Sequence, residues 1–405
     1  MKQTNNKLIY FIAGEPSGDL HGSNLIKAIK NQSNNLNYKF RGLGGPLMQD
    51  QGLINIEKFD RLAVMGFVEV IKDLFFFLKL KRKIIVDIFQ HKPEKIILID
   101  YPGFNLSIAE SIKKQSNIKI YYYISPQLWA WKESRIEKIK KYVDEMIVIF
   151  PFEIPWYKSR GLFNVQYFGH PLVDIYNPKE YKSKPNIITI GLFPGSRKQE
   201  IKKHLPIINN TIYHLENLFS DSINYKNFKL RFIVGVLKNS LIKNKDIKIS
   251  SSSELKFEQG SFQTYEKCHV CLVASGTATL ECAITKTPMV VFYKTSFLSW
   301  CIAKKLIKVD FASIVNIIAE EEIIPEYLQK DCVGQQVAGA LKRNSQFWRE
   351  DYDASMLDTM WNTNKNGAEV PYIKQKKDMQ KVINKLGDGR AYEKTAKFIL
   401  NNEKN

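Results

Sequence analysis

The sequence predicts an α/β protein made of two Rossmann-like domains facing each other across a ligand cleft, with a helical C-terminal segment. Three observations carry this reading. Short apolar runs rich in β-branched and aromatic residues alternate with longer helical patterns through most of the chain. That alternation is the pattern of parallel strands joined by crossover helices. The series also begins twice in the same way, as strand, glycine-containing turn and helix, near residue 8 and again near residue 187. Finally, 405 residues exceed one ordinary core. The expected division is 1–170 as the first domain, 171–186 as linker, 187–342 as the second domain, and 343–405 as a helical tail. The tail is expected to pack back on the first domain or on a partner subunit.

The elements follow in order. Runs 8–13, 95–100, 119–124 and 146–150 are apolar and strand-like, each bounded by turn residues or by a helical stretch such as 108–114 or 134–142. At Gly169-His170-Pro171 the chain leaves the series. Residues 177–186, NPKEYKSKPN, are polar and proline-containing and read as a linker. A strand at 187–193, the turn Pro194-Gly195-Ser196-Arg197 and a helix to about residue 219 restart the pattern. Strands follow at 230–234, 269–274 and 289–293. After residue 342 the chain turns charged and helical, with Trp348 and Trp361. Asp351-Tyr352-Asp353 spells the D-x-D of metal-dependent transferases, but it follows no strand and reads as a solvated face.

Composition narrows the function. No stretch approaches the ~20 apolar residues needed to cross a bilayer. The run at 8–13 is too short for a signal peptide, so a cytoplasmic protein is expected. The five cysteines are scattered and odd in number, which points to reduced thiols. Cys268-His269-Val270-Cys271 has the spacing of half a zinc site without a second half, and reads as buried strand cysteines. A net charge of +19 suits nucleic acid, anionic lipid or a phosphorylated substrate, or reflects lysines that are merely solvated. No RNA-binding aromatic signature, zinc finger or helix-turn-helix is present, so nucleic acid is not expected as a partner.

The chemistry is expected in the turns at strand C-termini, where helix N-termini direct unpaired N–H groups outward. In the second half, Gly195 lets backbone approach a ligand, Ser196 adds a hydroxyl, and Arg197 can fork onto phosphate. Ser275, Gly276 and Thr277 open another helix with amides and hydroxyls suited to a pyrophosphate, and Glu281 lies one turn on, within reach of a ribose. Neither turn is a Walker A loop or a GxGxxG, and taken alone each reads more readily as a tight turn with a capped helix. In the first half, Asp100 ends a strand, where a base for a sugar hydroxyl belongs, though an N-cap is the plain alternative. Glu15, Ser17 and Asp19 supply further acceptors in the opening turn. Trp129, Trp131 and His170 also follow strand ends; they are either core and capping residues or walls of the acceptor side.

Several motifs occur in one order: Gly14-Glu15-Pro16-Ser17-Gly18-Asp19, Ala63-Val64-Met65-Gly66, Asp100-Tyr101-Pro102-Gly103-Phe104-Asn105, Ser125-Pro126-Gln127-Leu128-Trp129-Ala130-Trp131, Gly169-His170-Pro171, Pro194-Gly195-Ser196-Arg197 and Ser275-Gly276-Thr277-Ala278-Thr279-Leu280-Glu281. Over about residues 8–335 the chain resembles the lipid-A-disaccharide synthase family, inverting glycosyltransferases of the B-type two-Rossmann fold. The resemblance implies transfer of 2,3-diacylglucosamine from UDP-2,3-diacylglucosamine to 2,3-diacylglucosamine 1-phosphate (lipid X). The products are the β-1,6 disaccharide 1-phosphate and UDP, and no cofactor or metal is implied. Asp100 matches the family's essential aspartate, and Arg197 an arginine on the UDP side. Ser275, Gly276 and Thr277 match the pyrophosphate loop, Glu281 the ribose ligand, and Asn316 a functional asparagine near the cleft, which the resemblance places among the UDP-binding residues. The turn containing Glu15, Ser17, Gly18 and Asp19 lines the acceptor side in such enzymes. Some members carry an acid where this chain has Gly103. A homodimer formed by exchanging C-terminal helices is also implied as an option.

Lipid substrates require access to a membrane surface. The run 66–83, GFVEVIKDLFFFLKLKRK, offers Phe67, Phe75, Phe76, Phe77 and Leu78, followed by Lys79, Lys81, Arg82 and Lys83. Apolar residues beside cations suit an anionic inner-membrane surface; a helix buried on several sides is the alternative. Peripheral attachment to the inner face of the cytoplasmic membrane is therefore expected. A UDP-sugar 2-epimerase of the same architecture and a basic nucleic-acid-binding protein are the rival readings.

Overall fold

Most of the apolar runs become strands covered on both faces. The computed structural model describes residues 7–33, 38–58, 74–179, 181, 186–221, 228–236, 242–296, 300, 309–345 and 371–401. The chain forms two compact units, Met1–Ile175 with Leu386–Asn405, and Tyr176–Lys385.

In the first unit, β1 (Lys7–Ala13), β2 (Tyr38–Leu43), β3 (Leu53–Asn55), β4 (Lys95–Ile99), β5 (Lys119–Tyr123), β6 (Glu145–Val148) and β7 (Val165–Tyr167) form a parallel sheet in the order β3-β2-β1-β4-β5-β6-β7. β4, KIILI, is buried along its whole length, as a central parallel strand must be. The connecting helices include α1 (Pro16–Gln32), α2 (Pro46–Asp50), α3 (Leu74–His91), α4 (Pro102–Lys113), α5 (Ile136–Tyr142), α6 (Glu153–Lys158) and α7 (Pro171–Ile175). One apolar cluster joins Ile96, Leu98 and Tyr122 to Leu80 and Ile84 of α3. A second, on the alternate side chains Ile97, Ile99, Tyr121 and Tyr123, includes Leu25 and Ile29 of α1.

The second unit repeats the plan. β8 (Ile187–Phe193), β9 (Lys229–Val236), β10 (Glu254–Gln259), β11 (Val270–Ala274), β12 (Met289–Tyr293) and β13 (Glu326–Leu328) form a parallel sheet ordered β10-β9-β8-β11-β12-β13. Its helices include α8 (Lys198–Ser220), α9 (Phe262–Glu266), α10 (Thr277–Ile284), α11 (Ile314–Ala319), α12 (Gly334–Ser345) and α13 (Pro371–Lys385). Cys268, Cys271, Cys282 and Cys332 are free thiols buried in this unit. His269 Nδ1 accepts the Thr189 amide at 2.9 Å.

The described parts of the tail divide between the units. α13 belongs to the second, where Gln375 exchanges hydrogen bonds of 2.8 and 3.0 Å with the backbone of Met289. α14 (Ala391–Asn401) belongs to the first and packs on α1. Asp174 caps α14, accepting from the amides of Ala391 at 3.0 Å and Tyr392 at 2.8 Å. Trp348, Trp361, the Asp351–Asp353 triplet, Phe67 and the Ala63–Gly66 motif lie outside the described residues.

Candidate functional site

Both strand orders reverse direction at one place. In the first unit this is between β1 and β4, in the second between β8 and β11. In an open α/β sheet, ligands bind at the carboxyl ends of the strands flanking such a reversal. The turns singled out above leave those four strand ends.

In the second unit these turns line a cavity of about 360 Å³. Gly195, Ser196 and Arg197 enter it from the end of β8, and Ser275, Gly276 and Thr277 from the end of β11. Gly276 has φ +150°, a conformation that other residues rarely adopt. It is the N-cap of α10, whose first amides have no acceptor within the helix. Thr277 is exposed, whereas Ser275 Oγ donates to the Ala312 carbonyl at 2.7 Å. The Arg197 side chain is 81% exposed and rests on Glu200, Nη1 to Oε1 at 3.1 Å. The Tyr293 hydroxyl donates to the same oxygen at 3.2 Å. His204 braces the turn from below: Nδ1 lies 2.7 Å from the Pro194 carbonyl and Nε2 accepts the Lys294 amide at 3.1 Å. These partners select the neutral tautomer with the proton on Nδ1, in line with a proton affinity lowered by burial.

Glu281 lines the same cavity, and burial raises its carboxyl above the usual range. The Tyr265 hydroxyl donates to it at 3.4 Å, while the Tyr265 ring stacks on Phe193 with centroids 4.1 Å apart. Asn316 is not part of the lining. It is fully buried, donates to Ile324 O and Glu326 Oε1 at 2.8 Å each, and accepts the amides of Ile323 and Ile324 at 3.0 Å. Glu326 in turn accepts the amides of Ala312 and Ser313 at 2.7 and 2.8 Å. Asn316 thus steadies the loop on which Ser275 Oγ rests, and the expectation of direct ligand contact is corrected to an indirect one.

In the first unit, Asp100 and Tyr101 occupy the left-handed region in succession, φ +45° and +50°. Such strain persists only where the surroundings hold it. Here the Asp100 carbonyl accepts Asn105 Nδ2 at 2.7 Å and the Tyr122 hydroxyl at 2.6 Å, and its amide bonds to Tyr123 O at 3.0 Å. The opening turn lies against this one: a Cβ on Gly14 would come within 2.6 Å of the Tyr101 ring. The Asp100 carboxyl is pushed up to about 6, chiefly by burial and next by the charge of Glu15, against a backbone hydrogen bond at Tyr101.

The other residues of this half separate. Glu15 and Ser17 are exposed at the start of α1, and Gly18 is buried, its Cα side 3.2 Å from Ala13 Cβ for any added methyl. Asp19 points inward instead, accepting the amides of Leu47 at 3.0 Å and Met48 at 2.9 Å at the start of α2. Its carboxylate is a helix cap, which corrects its assignment to the acceptor. Trp129 is buried, whereas Trp131 is exposed with Lys132 Nζ 4.2 Å above its ring. His170 is buried, accepts the Leu172 amide at 3.1 Å, and is lowered to about 3 by burial and then by His21. Phe77 is also interior, edge-on to Phe104 at 5.8 Å, so it leaves the proposed membrane face; Phe75 and Leu78 stay exposed, as do Lys79 and Arg82, with Phe76 and Lys81 half-buried.

Sequence reasoning missed Glu153. It is fully buried at the start of α6; Oε1 accepts Ser125 Oγ at 2.5 Å and Trp129 Nε1 at 3.1 Å, and Oε2 accepts the amides of Ile149 at 3.2 Å and Phe150 at 3.0 Å. Burial lifts its carboxyl to about 7 against the pull of those donors. It ties the Ser125–Trp131 segment to the end of β6. Nothing in its local sequence announces this, because its partners lie on another loop.

A family model described as lipid-A-disaccharide synthetase matches residues 9–364. Lipid-A-disaccharide synthase 1 of Legionella pneumophila (strain Paris) is 40% identical over 344 residues, covering 81% of this chain and 85% of that protein. Lipid-A-disaccharide synthase of Geobacter metallireducens is 34% identical over 406 residues, covering 98% and 97%. Among solved structures, the glycosyltransferase of kitacinnamycin superposes with TM-score 0.64 at 10% identity, covering 98% of each chain. UDP-GlcNAc 2-epimerase of Neisseria meningitidis, bound to UDP-GlcNAc, gives 0.56 at 12% identity, covering 98% and 100%. At such identities these two likenesses speak for the fold alone.

Proposed function

The chain belongs to the lipid-A-disaccharide synthase family, and from that premise we propose how its residues divide the work of the reaction. The activity is glycosyl transfer: 2,3-diacylglucosamine passes from UDP-2,3-diacylglucosamine to 2,3-diacylglucosamine 1-phosphate, giving the β-1,6 disaccharide 1-phosphate and UDP. Asp100 takes the proton of the acceptor 6-hydroxyl as that oxygen attacks the anomeric carbon from the face opposite UDP. The carbon–oxygen bond to the diphosphate breaks, and its electron pair leaves with UDP. The amides that open α10, the Thr277 hydroxyl, Ser196 and Arg197 hold the charge developing on the diphosphate. Glu281 receives the ribose hydroxyls. Glu15 keeps the Asp100 carboxyl proton-hungry, and Trp131 borders the acceptor.

The observation that carries this reading is the carboxyl at the end of β4, raised to about 6 on a backbone turn locked by Asn105 and Tyr122. A base poised near working pH is what proton abstraction from an alcohol requires. Both substrates are lipids, so we also assign the exposed face of α3 to a membrane surface: Phe75, Leu78 and Val86 lie beside Lys79, Arg82 and Lys83. No described helix is long and apolar enough to cross a membrane.

The decisive assay mixes the protein with UDP-2,3-diacylglucosamine and lipid X. Disaccharide and UDP are expected from wild type, and a loss of at least ~100-fold from Asp100→Ala, the lower range for a missing general base. Activity unchanged in Asp100→Ala would remove the base assignment. Epimerisation of UDP-N-acetylglucosamine alone, without disaccharide, would replace the reaction.

A further inference from the structure

We propose that Arg135, supported by Lys132, anchors the phosphate of the acceptor; this rests on the acceptor reading given above. Arg41, Arg160, Arg197, Arg231 and Arg390 each sit on a carboxylate. Arg82, Arg135 and Arg343 form no ion pair among the described residues, and of these three Arg135 is the half-buried one. A guanidinium drawn partly out of water without an anion is unfavourable, and a bound phosphate relieves that cost through its matching fork geometry.

The surroundings keep this cation unpaired. Glu133, in the same short turn, is taken by Arg160 Nε at 2.5 Å. Lys132 stands in the left-handed region at φ +55°, with its ammonium over the exposed Trp131 ring. Its proton affinity is lowered by burial and then by the charge of Arg135, so the two cations are close enough to repel. Like charges held together beside an exposed indole describe a place for a dianion next to a sugar.

The location fits the acceptor half. The turn follows the loop that leaves β5, the strand bonded to β4. The charge of Arg135 is felt at the Tyr122 hydroxyl, and that hydroxyl donates to the Asp100 carbonyl at 2.6 Å. The acceptor carries its phosphate on C1 and its reacting hydroxyl on the carbon attached to C5, the two ring carbons that flank the oxygen of one pyranose, so fixing one group restricts where the other can lie. Holding the phosphate at the turn therefore orients the hydroxyl toward the strand end that bears Asp100.

The test is steady-state kinetics in detergent micelles with the UDP donor and two acceptors, 2,3-diacylglucosamine 1-phosphate and its dephosphorylated form. Arg135→Ala should raise KM for the phosphorylated acceptor about 10-fold or more. It should leave donor KM, and kcat/KM for the dephosphorylated acceptor, unchanged. Arg135→Lys, which keeps the charge and guards against a folding artefact, should recover part of the loss. Equal losses on both acceptors would overturn the anchor. So would unchanged micellar kinetics with weaker binding to phosphatidylglycerol vesicles, which would assign Arg135 to a lipid headgroup. Wild type that makes disaccharide from neither acceptor would refute the functional reading and this proposal together, a result distinct from all the variant outcomes.

Discussion

A carboxyl held near 6 is mostly ionised at neutral pH and still accepts a proton readily, so in the base role proposed for Asp100 its usefulness and its cost come from one property. On the acid side, kcat/KM should fall with an apparent pKa near 6. Glu15→Gln removes the second cause of the shift, so the pH-rate profile of that variant should move its acid limb downward. An unmoved limb would mean another group is titrating. The stability consequence has the opposite sign to most carboxylates. The folded state binds the proton more tightly than the unfolded one, so stability falls as pH rises from about 4 to about 6. Asp100→Asn should therefore raise stability at pH 7 by roughly 1–2 kcal/mol in thermal denaturation while abolishing most activity. Asp100 was readable from sequence because it follows an apolar strand and precedes Pro102 and Gly103. Asp19 and Asn316 misled for the same reason that motifs help. A residue type in its expected place does not reveal whether its polar atoms face a ligand or the backbone of a neighbouring loop.

At the scale of elements, α14 is fixed by groups that acid will disturb. His21 Nδ1 lies 2.7 Å from the Tyr392 hydroxyl, and burial lowers His21 to about 4. Unfolded histidine takes its proton near 6.5. The stability these neutral rings contribute is thus complete above 6.5 and is lost as pH falls toward 4 for His21 and 3 for His170. Calorimetric melts should show this loss in wild type. His21→Leu with Tyr392→Phe replaces both partners by apolar groups, so it should be nearly neutral at pH 7 and lose stability less steeply in acid. Parallel acid curves would place the sensitive group elsewhere. The strands that sequence revealed, such as β4, β8 and β11, are central and buried on both faces, so they are apolar along most of their length. Those it did not reveal are short or lie toward the sheet edges. β10, ELKFEQ, has no fully buried residue, and β3, β7 and β13 have three residues each. Edge position removes the continuous apolar run that betrays a parallel strand. α14 was legible only as a charged helix, since its docking depends on Asp174 and His21 from distant sequence.

Taken as a whole molecule, the chain combines a formal charge of +19 with an apolar face on α3, and in the proposed docking to an anionic bilayer each would reinforce the other. Four consecutive apolar residues, 75–78, read in sequence as one patch. The helical period divides them, because Phe77 belongs to the core at 7% exposure while Phe75 is 87% and Leu78 49% exposed. Serine at all four positions would confound docking with unfolding, and separate substitutions resolve the two. Phe77→Ser should cost ~3–5 kcal/mol of stability, the usual range for deleting a buried phenylalanine. Phe75→Ser with Leu78→Ser should leave the melting temperature almost unchanged. It should weaken sedimentation with phosphatidylglycerol vesicles by about 100-fold or more, since each of the two side chains is worth roughly 1.5–3 kcal/mol when transferred fully out of water and every ~1.4 kcal/mol is tenfold. Raising salt should weaken binding of wild type and of this double variant alike, because Lys79, Arg82 and Lys83 remain. Vesicle binding by a folded Phe75→Ser, Leu78→Ser protein at the wild-type level would show that the apolar face of α3 does not meet the membrane, and would leave the basic charge alone to bring the enzyme to its lipid substrates.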